Sequence, residues 1–425
     1  MPAADHCPPS DIADPALAEA GRARIGWAQR GMPVLRLITE RYAGEQPFTG
    51  LTVAACLHVT AETAGLVGAL RAGGARVFLA ASNPLSTQDD VAAALADTGT
   101  CVFARAGVDA ITYGEHIHRV LDPGPDLVID DGGDLVDTLA GQRPELVANV
   151  RGGCEATSTG VLRLRRMAAA GALAFPMVAA DATATKRMFD NTAGTGQSVL
   201  DGVLRATNIL LAGRVVVVAG FGPCGQGIAA RAHGLGAQVI VTEVDPVRAL
   251  DAVLRGYRVL PMPEAAAVGE VIITATGSRD VVAREHVAVL RDGAILANAG
   301  HFDAEIDVPA LAEEAVKVTR DVRPHADEYT LHDGRRVVLL AEGRVVNLVA
   351  AEGNPPQVMD VSFAGQALAL RWLAREHESL AAGVHDVPRA IDEEIARLTL
   401  ESSGARIDTL TDAQRDYLNS WRTTP

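Results

Sequence analysis

Aromatic residues are scarce, at 4% of the 425-residue chain, while 48% of it is hydrophobic, so the core is expected to consist mostly of Ala, Val and Leu. The five cysteines (Cys7, Cys56, Cys101, Cys154, Cys224) are odd in number, scattered, and free of any C-x-x-C pair. That pattern offers neither a disulfide framework nor a zinc site, and no metal is expected. No uninterrupted apolar 18-mer occurs, and the N-terminal MPAADHCPPSD lacks a basic start and an apolar core. Neither a membrane span nor a secretion signal is therefore indicated. Basic charge is in deficit: 38 Lys and Arg face 53 Asp and Glu, for a net charge of −15 and a pI near 5.2. This balance argues against nucleic acid or an anionic membrane as the main partner. A cytoplasmic protein of two domains with a large core is the plain expectation. The chain shows no internal repeat and no low-complexity segment.

The most informative stretch is 214–245, RVVVVAGFGPCGQGIAARAHGLGAQVIVTEVD. Val215–Val218 is a β-branched run that suits a strand buried on both faces of a parallel sheet. Gly220, Gly222 and Gly225 then spell G-x-G-x-x-G, followed by small residues at helical spacing (Gly227, Ala229, Ala230) and a second strand, Gln238–Thr242. The glycines permit a tight turn and let backbone N–H groups approach a pyrophosphate, whose charge a helix N-terminus favours. Glu243 closes the second strand, where an acid accepts the ribose hydroxyls of NAD and repels a 2′-phosphate. Strand, turn, helix and acid together make this an NAD fingerprint, whereas a lone glycine motif would be weak.

The flanking sequence repeats the α/β alternation. Asp14-Pro15 reads as a helix start after a loose tail over Met1–Ala13, and Pro15–Glu40 as helices. Strands are expected at Leu51–Ala55, Val77–Ala80, Cys101–Ala104 and Leu127–Asp131, with helices at Ala61–Ala72 and Asp89–Leu95. His58, Asp89 and Asp131 fall just past strand ends, where parallel sheets bind ligands. Beyond the NAD unit, strands are expected at Val271–Ala275, Ala294–Ala297, Val316–Thr319 and Val337–Leu340, with a short one at Val345–Asn347. Helical sequence (Phe363–Glu376, Val387–Thr399) follows. Lys186 and Asp190 share a helix face at i, i+4, and alone would read as a surface pair. The organisation expected is α/β: two parallel-sheet domains, one a doubly wound Rossmann NAD domain, plus C-terminal helices. Residues 1–190, completed by 349–400, form the first domain, 191–348 the NAD domain, and 401–425 a C-terminal helical segment.

In order and spacing the motifs resemble those of the S-adenosylhomocysteine hydrolase family, from about Pro15 to Leu418. They comprise Cys56-Leu57-His58-x-Thr60, Ser86-Thr87-Gln88-Asp89, Asp130-Asp131-Gly132-Gly133-Asp134, Thr185-Lys186 with Phe189-Asp190-Asn191, the Gly220 motif with Glu243, Gly300-His301-Phe302-Asp303, and Ala341-Glu342-Gly343-Arg344 with Asn347. Asn83-Pro84-Leu85 and Gly194-Thr195-Gly196-Gln197-Ser198 resemble the shorter bacterial and archaeal branch, as does the missing C-terminal Lys/Tyr tail. The resemblance implies a resident NAD that oxidises the 3′-hydroxyl of an adenine nucleoside, loss of the 4′ proton and the 5′ substituent, water addition, and return of the hydride. Carried over residue by residue, Lys186 and Asp190 activate the hydroxyl, and Asp131, His58 and His301 handle the 4′ proton and the leaving group. Base work by Lys186 requires a lowered pKa, which burial beside Asn191 and the nicotinamide would supply. Thr157, Ser158, Thr159, Glu243, Asn191, Thr276, Asn298 and Asn347 hold NAD, while Thr60, Glu62, Glu155, Ala156, Asn354 and Met359 meet the substrate. A homotetramer or homodimer is implied, with a hinge near Arg187–Asn191 and Val349–Asn354.

Departures from the family pattern cluster on the substrate side. Glu155 is followed by Ala156 where a second Glu is usual, Gly353-Asn354-Pro355 replaces Gly-His-Pro, and Thr192-Ala193 replaces an aromatic before the glycine. Loss of a carboxylate makes room for a sugar substituent and removes a hydroxyl partner. The expectation drawn is a divergent member that dehydrates a modified adenine nucleoside, as in nucleoside-antibiotic metabolism. The alternatives are true reversible hydrolysis of S-adenosylhomocysteine and a non-catalytic NAD-binding regulator.

Overall fold

The computed structural model describes residues 8–421. Its first sheet takes β1 (Thr52–Leu57), β2 (Arg76–Ala81), β3 (Cys101–Phe103), β4 (Leu127–Asp130), β5 (Gly152–Glu155) and β6 (Pro176–Ala179). The second takes β7 (Val215–Ala219), β8 (Gln238–Thr242), β9 (Arg258–Val259), β10 (Val271–Thr274), β11 (Ala294–Asn298), β12 (Ala315–Arg323), β13 (Ala326–Leu331) and β14 (Arg336–Leu340). The chain then returns to the first sheet with β15 (Gly383–Asp386). The orders are β15-β6-β5-β4-β1-β2-β3 and β12-β13-β14-β11-β10-β7-β8-β9. Every pairing in the first sheet is parallel. The second is parallel except around β13, which runs against both neighbours.

Parallel sheets need helices on both faces, and the burial obeys this: all six residues of β1 and the last four of β7 are buried. The α/β expectation holds, with five strands added: β5, β6, β9, β13 and β15 have no counterpart among the strands expected from the sequence. Val345–Asn347 is not a strand: Val345 makes a single bridge to Asn298, and Val346–Val349 is a helical turn. The long helix expected from Phe363 starts earlier, at Pro356, where a first-turn proline lacks only an N–H that has no partner anyway.

The loose tail expected over Met1–Ala13 lies partly outside the described residues, and its described part is tied down. Asp11 donates its N–H to Val102 O at 2.8 Å and accepts from Ala104 N at 2.9 Å, while Val102 N reaches Ser10 Oγ at 3.0 Å. Strand β3 is a three-residue edge strand, and this segment satisfies backbone groups it would otherwise leave open.

The chain crosses from the first sheet to the second through Arg187–Gly194, a π-helical stretch continuous with the Thr195–Thr207 helix. Such widened turns gather at functional sites. The helix after β7 packs onto this crossing backbone to backbone: a Cβ at Gly227 would sit 2.0 Å from Thr192 O, and one at Gly196 would sit 2.6 Å from Gly227 C. Among the described residues no helix is long and apolar enough to cross a membrane.

Candidate active site

The carboxyl ends of both sheets open onto one cavity of about 870 Å³. His58 follows β1, Asp131 follows β4, Ala156–Thr159 follow β5 and Asp181 follows β6. From the other sheet come Gly220 and Gly222 after β7, Glu243 after β8, Thr276 after β10 and His301 after β11. Strand ends are where the N-termini of following helices and free loop backbones converge, so this edge is where an α/β sheet binds its ligand.

Lys186 stands on one wall, in a helical turn whose Thr183 hydroxyl accepts from Lys186 N. Its Nζ donates to Asp181 Oδ1 at 2.7 Å and to Asn191 Oδ1 at 2.8 Å, and lies 3.6 Å from Asp190 Oδ2. Asp190 is gripped at both oxygens: Asn354 Nδ2 donates to Oδ1 and the Ser362 hydroxyl to Oδ2, each at 2.7 Å. The Asn354 amide is itself fixed by the Ser198 hydroxyl at 2.7 Å, and Ser198 accepts from Asn347 Nδ2 at 3.0 Å. The pair is thus a buried network rather than a surface i, i+4 bridge. Burial alone would pull the Lys186 ammonium down, but the Asp190 and Asp181 carboxylates outweigh it and push it well above the usual lysine range. This reverses the expected lowering, because two anions flank the amine where the sequence reading counted one.

Opposite lie His58, Asp131 and His301, with ligand atoms all within 4.8 Å of one another. His58 Nδ1 bonds Ser86 Oγ at 2.6 Å, leaving Nε2 facing Asp131 Oδ1 at 3.9 Å, and His301 Nδ1 is 3.4 Å from the same oxygen. Burial pulls His58 below the usual histidine range, against the attraction of Asp131 and with the repulsion of His301. Asp131 Oδ1 is buried and has no hydrogen-bond partner among the described residues. It is an acceptor held ready for a proton-bearing group. Gly132, at φ +106°, makes the approach possible, since a Cβ there would lie 2.4 Å from His301 Nε2.

The profile described as "S-adenosyl-L-homocysteine hydrolase" matches residues 9–143, and that described as "S-adenosyl-L-homocysteine hydrolase, NAD binding domain" matches residues 191–353. The chain is 55% identical over 412 residues to a protein named adenosylhomocysteinase from Aquifex aeolicus, covering 97% of this chain and 98% of that one. Proteins of the same name from Aeropyrum pernix (54%; 97% and 99% covered) and Saccharolobus solfataricus (51%; 97% and 98% covered) match likewise.

This chain belongs to the S-adenosylhomocysteine hydrolase family. It is an enzyme, and NAD is its cofactor. The family relatives carry the name of a hydrolase, which favours hydrolysis over the dehydration expected from Ala156 and Asn354, and an enzyme over a silent regulator.

The cavity fits the cofactor. Gly220 adopts φ +96° and a Cβ there would lie 2.7 Å from Ala275 O, whereas Gly222 faces open space, with the nearest atom 3.8 Å away. Gly225 is not on the wall but lets the helix touch the turn: a Cβ there would lie 1.9 Å from Gly220 O. Glu243 Oε2 accepts from Phe221 N at 2.7 Å, so the acid and the glycine turn form one unit. Asn347 lines the cavity with a buried Oδ1 that has no partner among the described residues, an orphan that an amide of the cofactor would satisfy. Thr157, Ser158, Thr159 and Asn191 also line it; the hydroxyl of Thr276, on the same wall, is engaged with Glu305 at 2.5 Å.

Two expected ligands stand behind the wall instead. Glu155 is wholly buried; its Oε1 accepts from Gly132 N at 3.0 Å, Thr157 N at 2.9 Å and the Thr157 hydroxyl at 2.8 Å. Burial pushes its carboxyl well up, reinforced by Asp130, itself pushed up to about 7 by burial. Asn298 is also buried, and donates to Phe302 O at 2.8 Å and Gly343 O at 2.9 Å, bracing the loop that carries His301. Thr60, Glu62, Ala156, Asn354 and Met359 do line the cavity, Asn354 with its amide already engaged. Asp181, Ser198 and Ser362 escaped the sequence reading. The signal for Asp181 was an acid directly past the apolar run Phe175–Ala180.

Proposed function

We propose that the protein catalyses the reversible hydrolysis of S-adenosylhomocysteine to adenosine and homocysteine, working on the 3′-hydroxyl of an adenine nucleoside. What carries the reading is that the Lys186–Asp190 pair and the His58–Asp131–His301 set face one cavity, in a chain whose relatives named adenosylhomocysteinase match 97% of it. NAD, when bound, accepts the sugar hydride and later returns it. Lys186 and Asp190 orient the hydroxyl and hold its proton; Gly220, Gly222, Glu243, Thr157, Ser158, Thr159, Asn191 and Asn347 hold the cofactor. Asp131 receives the 4′ proton, acidified by the neighbouring ketone, and His58 and His301 serve the leaving group and the incoming water. Thr60, Glu62 and Met359 bound the nucleoside side. The two chain crossings, at Arg187–Gly194 and Val349–Asn354, act as the hinge that shuts water out.

One observation favours a second reading, dehydration of a sugar-modified adenine nucleoside. The cavity wall offers Ala156 where the family resemblance implies a carboxylate, and Glu155 is turned away from it. Product analysis by mass spectrometry decides. Interconversion of S-adenosylhomocysteine with adenosine plus homocysteine supports hydrolysis; loss of one water from a modified nucleoside, with no reaction there, supports dehydration. We extend the proposal to a homotetramer or homodimer, since Val244, Val247, Leu250, Val253 and Leu254 on and beside the Pro246–Leu254 helix are all exposed. Light scattering in solution tests it.

A further inference from the structure

We infer that Asp181 is a positioning residue for Lys186, holding it as a cation aimed at the sugar hydroxyl. Asp181 lies in the turn after β6 and is 6% exposed. One carboxylate oxygen accepts from Lys186 Nζ at 2.7 Å; the other accepts from the Ser158 hydroxyl, on the loop after β5 that opens the Ser158–Ala169 helix. A chain of contacts therefore runs Ser158–Asp181–Lys186–Asn191, tying the amine to the loops after β5 and β6 and to the first chain crossing. The inference rests on the reading that Lys186 faces the substrate hydroxyl.

Asp190 shares in holding the charge, but among the described residues Asp181 is the carboxylate that hydrogen-bonds the amine. Asp190 lies 3.6 Å away and is shared with Asn354 and Ser362. Arg187, next in the chain, is a further cation that helps hold the Asp181 carboxyl down. Cys224, on the helix after β7, is a thiol whose burial pushes it up to about 11, so it stays neutral near pH 7. Asp392, from the Arg389–Ser402 helix, is engaged with Ala184 N and Thr185 N. The Pro356–Glu376 helix reaches Asp190 through the neutral Ser362 hydroxyl and brings the neutral Met359, Phe363 and Gln366 to the cavity. Asp181 itself is pulled up by burial, but the ion pair with Lys186 outweighs this and holds it below the usual carboxylate range. A paired buried amine stays charged, whereas an unpaired one sheds its proton. Lys186 then acts on the sugar oxygen as a hydrogen-bond donor, and the carboxylate of Asp190, 3.6 Å from the amine, receives the hydroxyl proton.

Composition makes the test direct, because Lys186 and Lys317 are the only two lysines in the chain. Protein labelled with ¹³C at the lysine ε-carbon gives two resonances, and exposed Lys317 on β12 serves as the internal reference. In the wild type Lys186 should titrate above Lys317. Asp181→Asn should lower its midpoint by about 1–3 pH units, and Asp181→Glu should restore it. In Asp181→Asn/Asp190→Asn, where burial acts unopposed, it should fall below Lys317. A wild-type Lys186 titrating with or below Lys317, or a midpoint unmoved in Asp181→Asn, would overturn the inference. The titration needs neither substrate nor turnover, so it stands apart from any failure of the proposed reaction.

Discussion

Asp190 offers the sharpest test of the site, because its carboxylate is gripped from the far side by two neutral donors. Asn354 Nδ2 and the Ser362 hydroxyl each reach one oxygen at 2.7 Å, and both come from the second chain crossing and the helix after it. A hydrogen bond to a charged group is worth about 1.5–3 kcal/mol. Asn354→Ala removes one such bond and also leaves the Ser198 hydroxyl without its acceptor. If that free energy orients Asp190 for the oxidation step, cofactor reduction should slow by about ten- to 150-fold. Ser362→Ala should produce a loss of similar size. The two grip one carboxylate, so the double variant should depart from additivity by about 0.5–3 kcal/mol. The assay is single-turnover reduction of bound NAD on nucleoside addition, followed by the near-ultraviolet absorbance of the reduced nicotinamide. Thermal melting of each variant separates misorientation from unfolding. Asn354→Asp should be worse than Asn354→Ala, since it sets a second anion against Asp190. Reduction rates equal to wild type in both single variants would refute the reasoning.

Further outcomes follow from the same contacts. Lys186→Met should abolish cofactor reduction while calorimetry still detects NAD binding, because the amine touches Asp181, Asp190 and Asn191 rather than the glycine turn. Gly132→Ala should spare the reduction step but suppress product formation, as the new Cβ would lie 2.4 Å from His301 Nε2; mass spectrometry of quenched reactions would detect the stalled ketone. Asp360, on the Pro356–Glu376 helix, caps Val34 N and Leu35 N, and burial pushes it up to about 6. Its unfolded value is about 3.9, so between roughly pH 4 and 6 the folded state binds the extra proton and stability falls as pH rises. Asp360→Asn should remove that component from thermal melts taken across this window.

Strands were legible where apolar β-branched residues run together, as in Val215–Ala219 and Val271–Thr274, both buried along nearly their whole length. They were hidden where packing demands other residues. Strand β5 reads Gly-Gly-Cys-Glu because a Cβ at Gly152 would meet Pro176 O at 2.6 Å and one at Gly153 would meet Val128 Cγ2 at 2.3 Å. Those neighbours exclude the very side chains that announce a strand. Because β5 and β6 carry no such signature, nothing in the sequence beyond the apolar run Phe175–Ala180 marks Ala179 as a strand end or Asp181 as a residue at the ligand-binding edge. Strand β13 was hidden for another reason: as an antiparallel member with polar residues between buried ones, Ala326–Leu331 lacks the continuous apolar run of its parallel neighbours. On the cofactor side the glycine turn and Glu243 carry the site through backbone geometry, and backbone geometry is what motif spacing encodes. On the substrate side the side chains bind one another, and no spacing reveals which partner each has chosen.

Glu155 shows how that distinction can be measured. In the motif it reads as a sugar ligand; in the fold its Oε1 gathers Gly132 N, Thr157 N and the Thr157 hydroxyl, while Oε2 is buried with no partner among the described residues. Gly132 belongs to the turn that presents Asp131, and Thr157 caps the helix that begins with Ser158. One carboxyl therefore ties the acid–base set to the loop that anchors Asp181. Burial favours its neutral form, and glutamine is close to isosteric with a protonated glutamate while keeping the accepting oxygen. Glu155→Gln should accordingly leave KM and the melting temperature near wild type. Glu155→Ala strips three donors of their partner in a buried site and should cost about 1–3 kcal/mol or more. If the residue instead met the sugar as an anion, Glu155→Gln would raise KM as strongly as Glu155→Ala does, with no loss of stability. The two variants read together separate a strut from a ligand, because only a strut makes stability and catalysis fall in step.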